Sequence, residues 1–358
     1  MSKIKTIAIH LPQFHPFAEN DEWWGKGFTE WTNVTKAKPL FKGHYQPHLP
    51  ADLGFYDLRL EEARIAQAEL ARQHGIHGFC YYHYWFNGKR LMNAPVDAIV
   101  KTGKPDFPFM LCWANENWSR RWDGKDADIL IEQNYSEEDD IEHIRFLLDN
   151  VFNDPRYIKV NNKPFFLIYR PSKFPDIKQT LKTWRQEAAK KGIELYLGYM
   201  KTAEYNPENV DADGFDCSVH FQPELWNLPP KYLPFASKIQ RRLGLNKSVY
   251  LSNYMVSYPA YVDSMLKRKF VYRDNEYEGI TPGFDNTARR RTGAVVFLDS
   301  SPVEYARWLA HLKKQYAGRD SFLFINAWNE WAEGNHLEPC QHWGTQYLEA
   351  TQKILKDA

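Results

Sequence analysis

Eight short apolar runs recur along the chain: KTIAIHL (5–11), IHGFCYY (76–82), FPFMLCW (107–113), PFFLIYR (164–170), ELYLGY (194–199), GFDCSVHF (214–221), YEGITPGF (277–284) and SFLFINAW (321–328). Most are apolar at nearly every position rather than at alternate ones, the pattern of strands covered on both faces. Stretches between them carry helical periodicity with helix signals at their ends. DLRLEEARIAQAELARQHG opens at Asp57, a candidate cap, and stops at Gly75. SEEDDIEHIRFLLDNVF opens at Ser136 with acids in its first turn, where they suit the positive end of the helix dipole. DIKQTLKTWRQEAAKKG ends at Gly192, and SPVEYARWLAHLKKQYAG opens near Ser301 with Pro302 early and ends at Gly318.

Strands alternating with helices in this way predict an α/β fold, a single (β/α)8 TIM barrel occupying residues 1–358 as one catalytic domain. A doubly wound sheet is the alternative. Its glycine-rich phosphate turn is missing after the first run, where LPQFHPF stands instead. Two connections are long, 12–56 after strand 1 and 222–258 after strand 6. Barrel enzymes build their sites from the loops after strand C-termini, so both are expected to rim the site.

Composition adds one unusual figure. Aromatic residues make up 16% of the chain, with 13 Trp, 21 Tyr and 22 Phe. Sugar faces pack on aromatic rings, so this fits either a carbohydrate site or an aromatic-rich core. Net charge is +1, and nothing in the overall balance points to nucleic acid or an anionic membrane. Cys80, Cys112, Cys217 and Cys340 are widely spaced and suggest neither a zinc site nor a disulfide framework. MSKIKTIAIHLPQFHP lacks a signal-type apolar region and no later run approaches a membrane span, so a cytoplasmic protein is expected. Oligomeric state is not indicated.

In a barrel, the polar residues just past each strand are the candidates for chemistry. Here they are His10, Gln13 and His15; His83, Tyr84 and Trp85; Trp113, Asn115 and Glu116; Tyr169; His220; Asp285; and Trp328 with Asn329. Amides, carboxylates and aromatics at eight strand ends form a sugar-site profile, and no phosphate cradle or cofactor motif accompanies them. The tryptophans Trp85 and Trp113 are candidate stacking platforms. A metal held by His10, His15 and His83 is the weaker alternative to ordinary hydrogen-bonding roles, and no metal or cofactor is expected.

The sharpest segment is FINAWNEWAEGNHLEP (324–339). Glu330 and Glu333, three apart after an apolar strand, can face one pocket. Glycosidic cleavage uses such a pair, one acid for the leaving oxygen and one carboxylate as base or nucleophile. A capped helix start with a surface acid is the plainer reading of the same spacing. ENWSRRWDG (116–124), with Arg120 and Arg121, could bind an acidic group or pair with nearby acids. Arg289–Arg291 reads as a solvated basic face, although Arg289 is close enough to Asp285 to line the same mouth. KIQRRLGLNK (238–247) reads as an exposed amphipathic turn.

Five segments carry a family resemblance: LPQFHPFAENDEWWGKGFTEWTNVTKAKPLFKGHYQPHLPADLGFYD (11–57), GFCYYHYWFNGKRL (78–91), CWANENWSRRWDG (112–124), PGFDNTARR (282–290) and NAWNEWAEGNHLEP (326–339). Together they resemble the WbsX-type proteins, which are related to glycoside hydrolase family 99 and are often encoded with bacterial polysaccharide-biosynthesis genes. The resemblance implies a (β/α)8 barrel and, through the family 99 relation, retaining, endo-acting cleavage of α-mannosidic linkages. In that chemistry the substrate's own 2-hydroxyl attacks the anomeric carbon through a 1,2-anhydro intermediate. It implies Glu330 as the base assisting the 2-hydroxyl and Glu333 as the acid/base at the leaving oxygen. QFHPFAEN, WWGKGFTEW and CWANENWSRRWDG belong to the WbsX-type branch and not to the mannosidases.

Three functions therefore stand side by side: a glycoside hydrolase on a bacterial polysaccharide, a glycosyltransferase in surface polysaccharide (O-antigen) biosynthesis, and an inert carbohydrate-binding barrel. A nucleotide-sugar transferase often needs a D-x-D metal site; Asp126-Ala-Asp128 and Asp211-Ala-Asp213 fit that short string.

Overall fold

A computed structural model describes residues 4–119, 129–245, 248–269, 271 and 273–356. Arg120, Arg121, Asp126 and Asp128 lie outside the described residues, as do Asn246 and Lys247.

All eight apolar runs form strands: β1 (Ile4–His10), β2 (Gly78–Phe86), β3 (Phe109–Trp113), β4 (Lys163–Ile168), β5 (Tyr196–Lys201), β6 (Cys217–His220), β7 (Glu276–Ile280) and β8 (Ser321–Ile325). Each pairs in parallel with the next, and β1 pairs with both β2 and β8. The sheet is therefore a closed eight-stranded parallel barrel, with no free edge. Its floor is aromatic: the Phe165 ring centroid lies 5.1 Å from that of Tyr196 and 5.6 Å from that of Phe322, and Tyr277 packs 5.3 Å from Phe322. The barrel is filled, so a ligand can enter only at the opposite, C-terminal mouth.

Helices α1 (Glu61–Gln73), α2 (Ala94–Thr102), α3 (Glu137–Asn150), α4 (Ile177–Ala189), α5 (Tyr258–Lys267), α6 (Pro302–Gln315) and α7 (Gln346–Lys356) cover the outside. Between β5 and β6 the described chain makes only a 3-10 turn, Val210–Asp213. The Ser136 and Ser301 caps form as expected, accepting from the backbone amides of Asp139 and Glu304. Asp57 does not cap α1, because its Oδ1 accepts from Arg59 N (2.8 Å), closing a local turn; α1 starts four residues later, behind Leu60.

Both long connections reach the mouth. The first carries two short helices, Ala18–Trp24 and Glu30–Lys36, and the second carries the helix Phe235–Arg242 and a strand, Tyr254–Ser257, that pairs with Val295–Leu298 beside the barrel. Much of the aromatic content is core: Trp113, Trp184, Trp308, Trp328 and Trp331 are fully buried. The four cysteines are free and buried. No described helix is long and apolar enough to cross a membrane.

Candidate active site

After β8 the chain turns sharply. Trp331–Glu333 form a single 3-10 turn, with Glu330 at its start and Gly334 ending it at φ +55. Three residues per turn bring Glu330 and Glu333 to the same side. Gly334 is needed twice over: its φ is left-handed, and an added Cβ would lie 3.0 Å from Asp285 Cβ. That closeness ties the β7 and β8 loops together, with Asp285 N donating to the Glu333 carbonyl (2.5 Å).

Both glutamates line a cavity of about 380 Å³ at the C-terminal mouth. Its walls include Tyr82 and Tyr84 from β2, Glu116 and Trp118 after β3, and Tyr169 after β4. Arg289 organises the carboxylates. Its Nη1 donates to Glu333 Oε1, its Nη2 approaches Glu330 Oε2 (3.2 Å), and its Nε and Nη2 donate to Glu30 Oε1 (3.0 and 2.8 Å). Glu30 is fully buried.

Three carboxyl groups around one guanidinium leave an excess of negative charge out of water. Burial, reinforced by the charge of Glu333, raises the Glu330 pKa to about 8 against the pull of Arg289. Burial likewise raises Glu30, with Arg289 opposing. Burial alone would lower Arg289, but Glu30, Glu333 and Glu330 outweigh it and hold the guanidinium firmly charged.

Of the other sequence-derived candidates, Tyr84, Glu116 and Tyr169 reach this cavity, and Arg170 Nε fixes Glu116 at 3.0 Å. His83, Trp85 and Trp113 do not, and these expectations are corrected. His83 Nε2 lies 2.9 Å from Nε2 of His143 on α3, Trp85 donates to Asp139 and stacks on His143, and Trp113 packs against His143 and Trp184. The reason is strand parity. Alternate residues of β2 face opposite ways, so Tyr82 and Tyr84 look into the mouth while His83 and Trp85 look at the helices.

The same correction applies on β1 and β8. His10 is buried against α1, with Nε2 3.2 Å from Gln67 Oε1, and burial lowers its pKa to about 3. His15 is held at the Pro16 carbonyl (3.1 Å), so His10, His15 and His83 each face a different partner and do not converge on a metal. Gln13 is fully buried, and its carbonyl accepts the amide of Glu30 (3.2 Å). Trp328 is buried against Phe79. Asn329 serves the backbone: Oδ1 accepts from Leu11 N (2.7 Å) and Nδ2 donates to Leu11 O (3.0 Å). Asn115 does the same for Arg170, accepting from its N and donating to its O at 2.8 Å each. His220 lies 3.5 Å from Glu276 and 3.8 Å from Glu224. These side chains build the frame of the mouth and do not line the cavity.

Asp285 belongs to a neighbouring cavity of about 850 Å³, walled by the 41–48 segment, Tyr250 and Trp343. His44 Nδ1 accepts from Leu40 N, so its Nε2 carries the hydrogen and donates to Asp285 Oδ2 (2.6 Å). Burial is the largest influence on Asp285 and would raise it, but the His44 bond together with the charge interactions of His44 and His48 and the Thr287 hydroxyl outweighs it and holds the carboxyl below its ordinary range.

A second buried acid stands behind the turn. Glu338 accepts from Tyr56 Oη (2.7 Å), Trp331 Nε1 (2.6 Å) and Gln67 Nε2 (2.6 Å), and burial raises its pKa to about 7 despite those donors. Glu30, Tyr82 and Arg289's central place were not read from the sequence. The signal for Glu30 was available: a single acid between Phe28 and Trp31, in a segment that has to be buried.

The fold is a closed (β/α)8 barrel with a carboxylate-lined mouth, and solved structures share that fold. A "GH99 endo-alpha-mannosidase" from Bacteroides thetaiotaomicron superposes with TM-score 0.60 at 13% identity, covering 100% of this chain and 98% of that one. A "Glycoside hydrolase-like protein" gives 0.59 at 15% identity, covering 100% and 95%. Identities this low show the shared fold alone. Residues 6–351 match the family described as "Glycosyltransferase WbsX", and the chain belongs to that family. The "Uncharacterized protein WxcX" of Xanthomonas campestris pv. campestris is 41% identical over 366 residues, covering 98% of this chain and 50% of that protein, so the chain spans about half the length of this relative. The WxcX of a second strain is 42% identical, with the same coverage.

Proposed function

We propose that the chain is a retaining glycoside hydrolase acting within a bacterial polysaccharide, with Glu330 and Glu333 as its catalytic pair. One observation carries the reading: the two side chains reach a single aromatic-walled cavity and share one arginine. Tyr82, Tyr84 and Trp118 offer stacking faces to a sugar there. In the chemistry the family resemblance implies, Glu330 takes the proton of the substrate's 2-hydroxyl as O2 closes on the anomeric carbon, and Glu333 gives a proton to the departing oxygen. Water then opens the anhydro sugar, losing its proton to Glu333, while Glu330 returns its proton to O2. A carboxyl poised near the working pH is suited to such an exchange. The inert-barrel alternative fits poorly, because three acids packed around one cation are costly to bury and a binding module needs no such pair.

A glycosyltransferase is the second reading, favoured by a separate observation. A cavity of about 760 Å³ shares Arg289 and Arg290 with the catalytic one and is lined by Lys36, Lys38 and Arg291 with no acidic side chain among the described residues, so it could take the phosphates of an activated sugar. Against it, Asp211 and Asp213 lie in the turn just before β6, at the opposite end of the strands from the mouth. The deciding experiment is a screen of bacterial polysaccharides with analysis of the anomer released. Glu330→Gln or Glu333→Gln retaining full turnover would sink the reading. Turnover that requires a sugar phosphate donor would replace it with the transferase.

A further inference from the structure

The overall charge of the chain is nearly neutral, but one segment is not. Between Glu224 and Asp263 no Asp or Glu occurs in 38 residues, while Lys231, Lys238, Arg241, Arg242 and Lys247 do. The same segment concentrates exposed apolar side chains. Of the twelve exposed large hydrophobics among the described residues, seven fall between 225 and 245, with Phe235 at 78% and Leu243 at 67% relative exposure.

The helix Phe235–Arg242 gives this segment its form. At 3.6 residues per turn, Phe235, Ile239 and the terminal Leu243 fall on one stripe. Arg242, Lys238 and Arg241 follow in order around one side of it. Ser237, buried, faces the protein and meets Ser248 at 2.9 Å. Lys238, Arg241 and Arg242 enter no ion pair among the described residues. Trp226 and Tyr232, earlier in the same segment, are also exposed and have side chains that suit a boundary between apolar and aqueous surroundings. Leu225, in the same segment, is exposed and also lines the catalytic cavity, so the segment that carries the helix starts at the mouth.

We propose that this ridge docks on an anionic lipid surface and holds the catalytic mouth at the bilayer. An apolar stripe flanked by cations of one sign is the form of an interfacial helix: the stripe enters the acyl boundary and the cations meet the headgroups. A protein interface core would instead be depleted of unpaired charge of this kind. The inference does not depend on the chemistry proposed for Glu330 and Glu333.

The test is co-sedimentation of the whole chain with phosphatidylcholine vesicles, with and without phosphatidylglycerol. The chain should pellet with the anionic vesicles, and binding should weaken by about tenfold or more in Arg241→Glu/Arg242→Glu and fall as salt is raised. Phe235→Asp should weaken binding even at low salt. All three positions are exposed, and circular dichroism checks that the variants fold. Equal binding by wild type and both variants, or no binding to either vesicle, overturns the proposal. So does a dimer on gel filtration that Phe235→Asp splits, which would give the ridge to a second copy of the chain.

Discussion

Two carboxylate clusters flank Trp331, and they differ in what surrounds them. Glu338 is sealed: three neutral donors converge on its two oxygens and it lines none of the cavities described above. Glu330 and Glu333 share a charged arginine and open onto a cavity of about 380 Å³. Burial raises the pKa of Glu330 and of Glu338 alike, to about 8 and about 7. A raised pKa therefore marks burial in both cases, and access to a cavity is what separates a group that can act on a substrate from one that holds a turn in place.

The sharpest way to break this comparison is substitution at both clusters. Glu330→Gln and Glu333→Gln should each cut kcat by about 10²–10⁴-fold while leaving Tm almost unchanged. Glu338→Gln brings an amide donor to a point where three donors already meet, and should cost about 1–3 kcal/mol of stability in a denaturant titration while keeping most of the activity. If Glu338→Gln instead abolished turnover in a folded protein, the two clusters would have to be read as one site.

The same contrast runs along β2 and β3. Trp113→Ala empties a buried site next to Trp184 and should lose about 3–5 kcal/mol of stability. Tyr84→Ala removes a cavity wall and should raise KM a few-fold, the worth of one stacked ring. Reversed outcomes, with KM moving for Trp113 and stability for Tyr84, would show the strand faces to be exchanged.

The pH profile sharpens the comparison in a different way. Departure of the leaving oxygen needs one proton on the Glu330/Glu333 pair. As pH rises through about 8 that proton is lost, so kcat/KM should fall about tenfold per pH unit above that point. An unchanged rate well into alkali would mean that the pair holds no working proton.

Much of the barrel was legible because it rests on a local signal. Strands covered on both faces are apolar throughout, and each of the eight runs became one. That same continuity hid the site. With no polar–apolar alternation along β2 or β3, nothing in YYHYW tells inward from outward side chains, so the sequence offers His83 and Trp85 beside Tyr84, and Trp113 on β3, while only Tyr84 and the unread Tyr82 line the cavity. Glu330 and Glu333 were legible because both belong to one turn. The central place of Glu30 and Arg289 was not, because it rests on tertiary contacts: Arg289 meets Glu30 across 259 residues of chain and reaches Glu330 and Glu333 across 41 and 44.

That span has a consequence in time. Arg289 joins a helix that starts at residue 30 to a turn that ends at residue 333, and β1 closes the barrel by pairing with β8. During synthesis the first wall of the cavity, at residue 30, must wait until residues 289–333 have been made before its counterpart exists. Translation products cut short before residue 333 should thus be inert however well their early helices form, and the nascent chain gains its carboxylate pocket only once that turn has emerged from the ribosome.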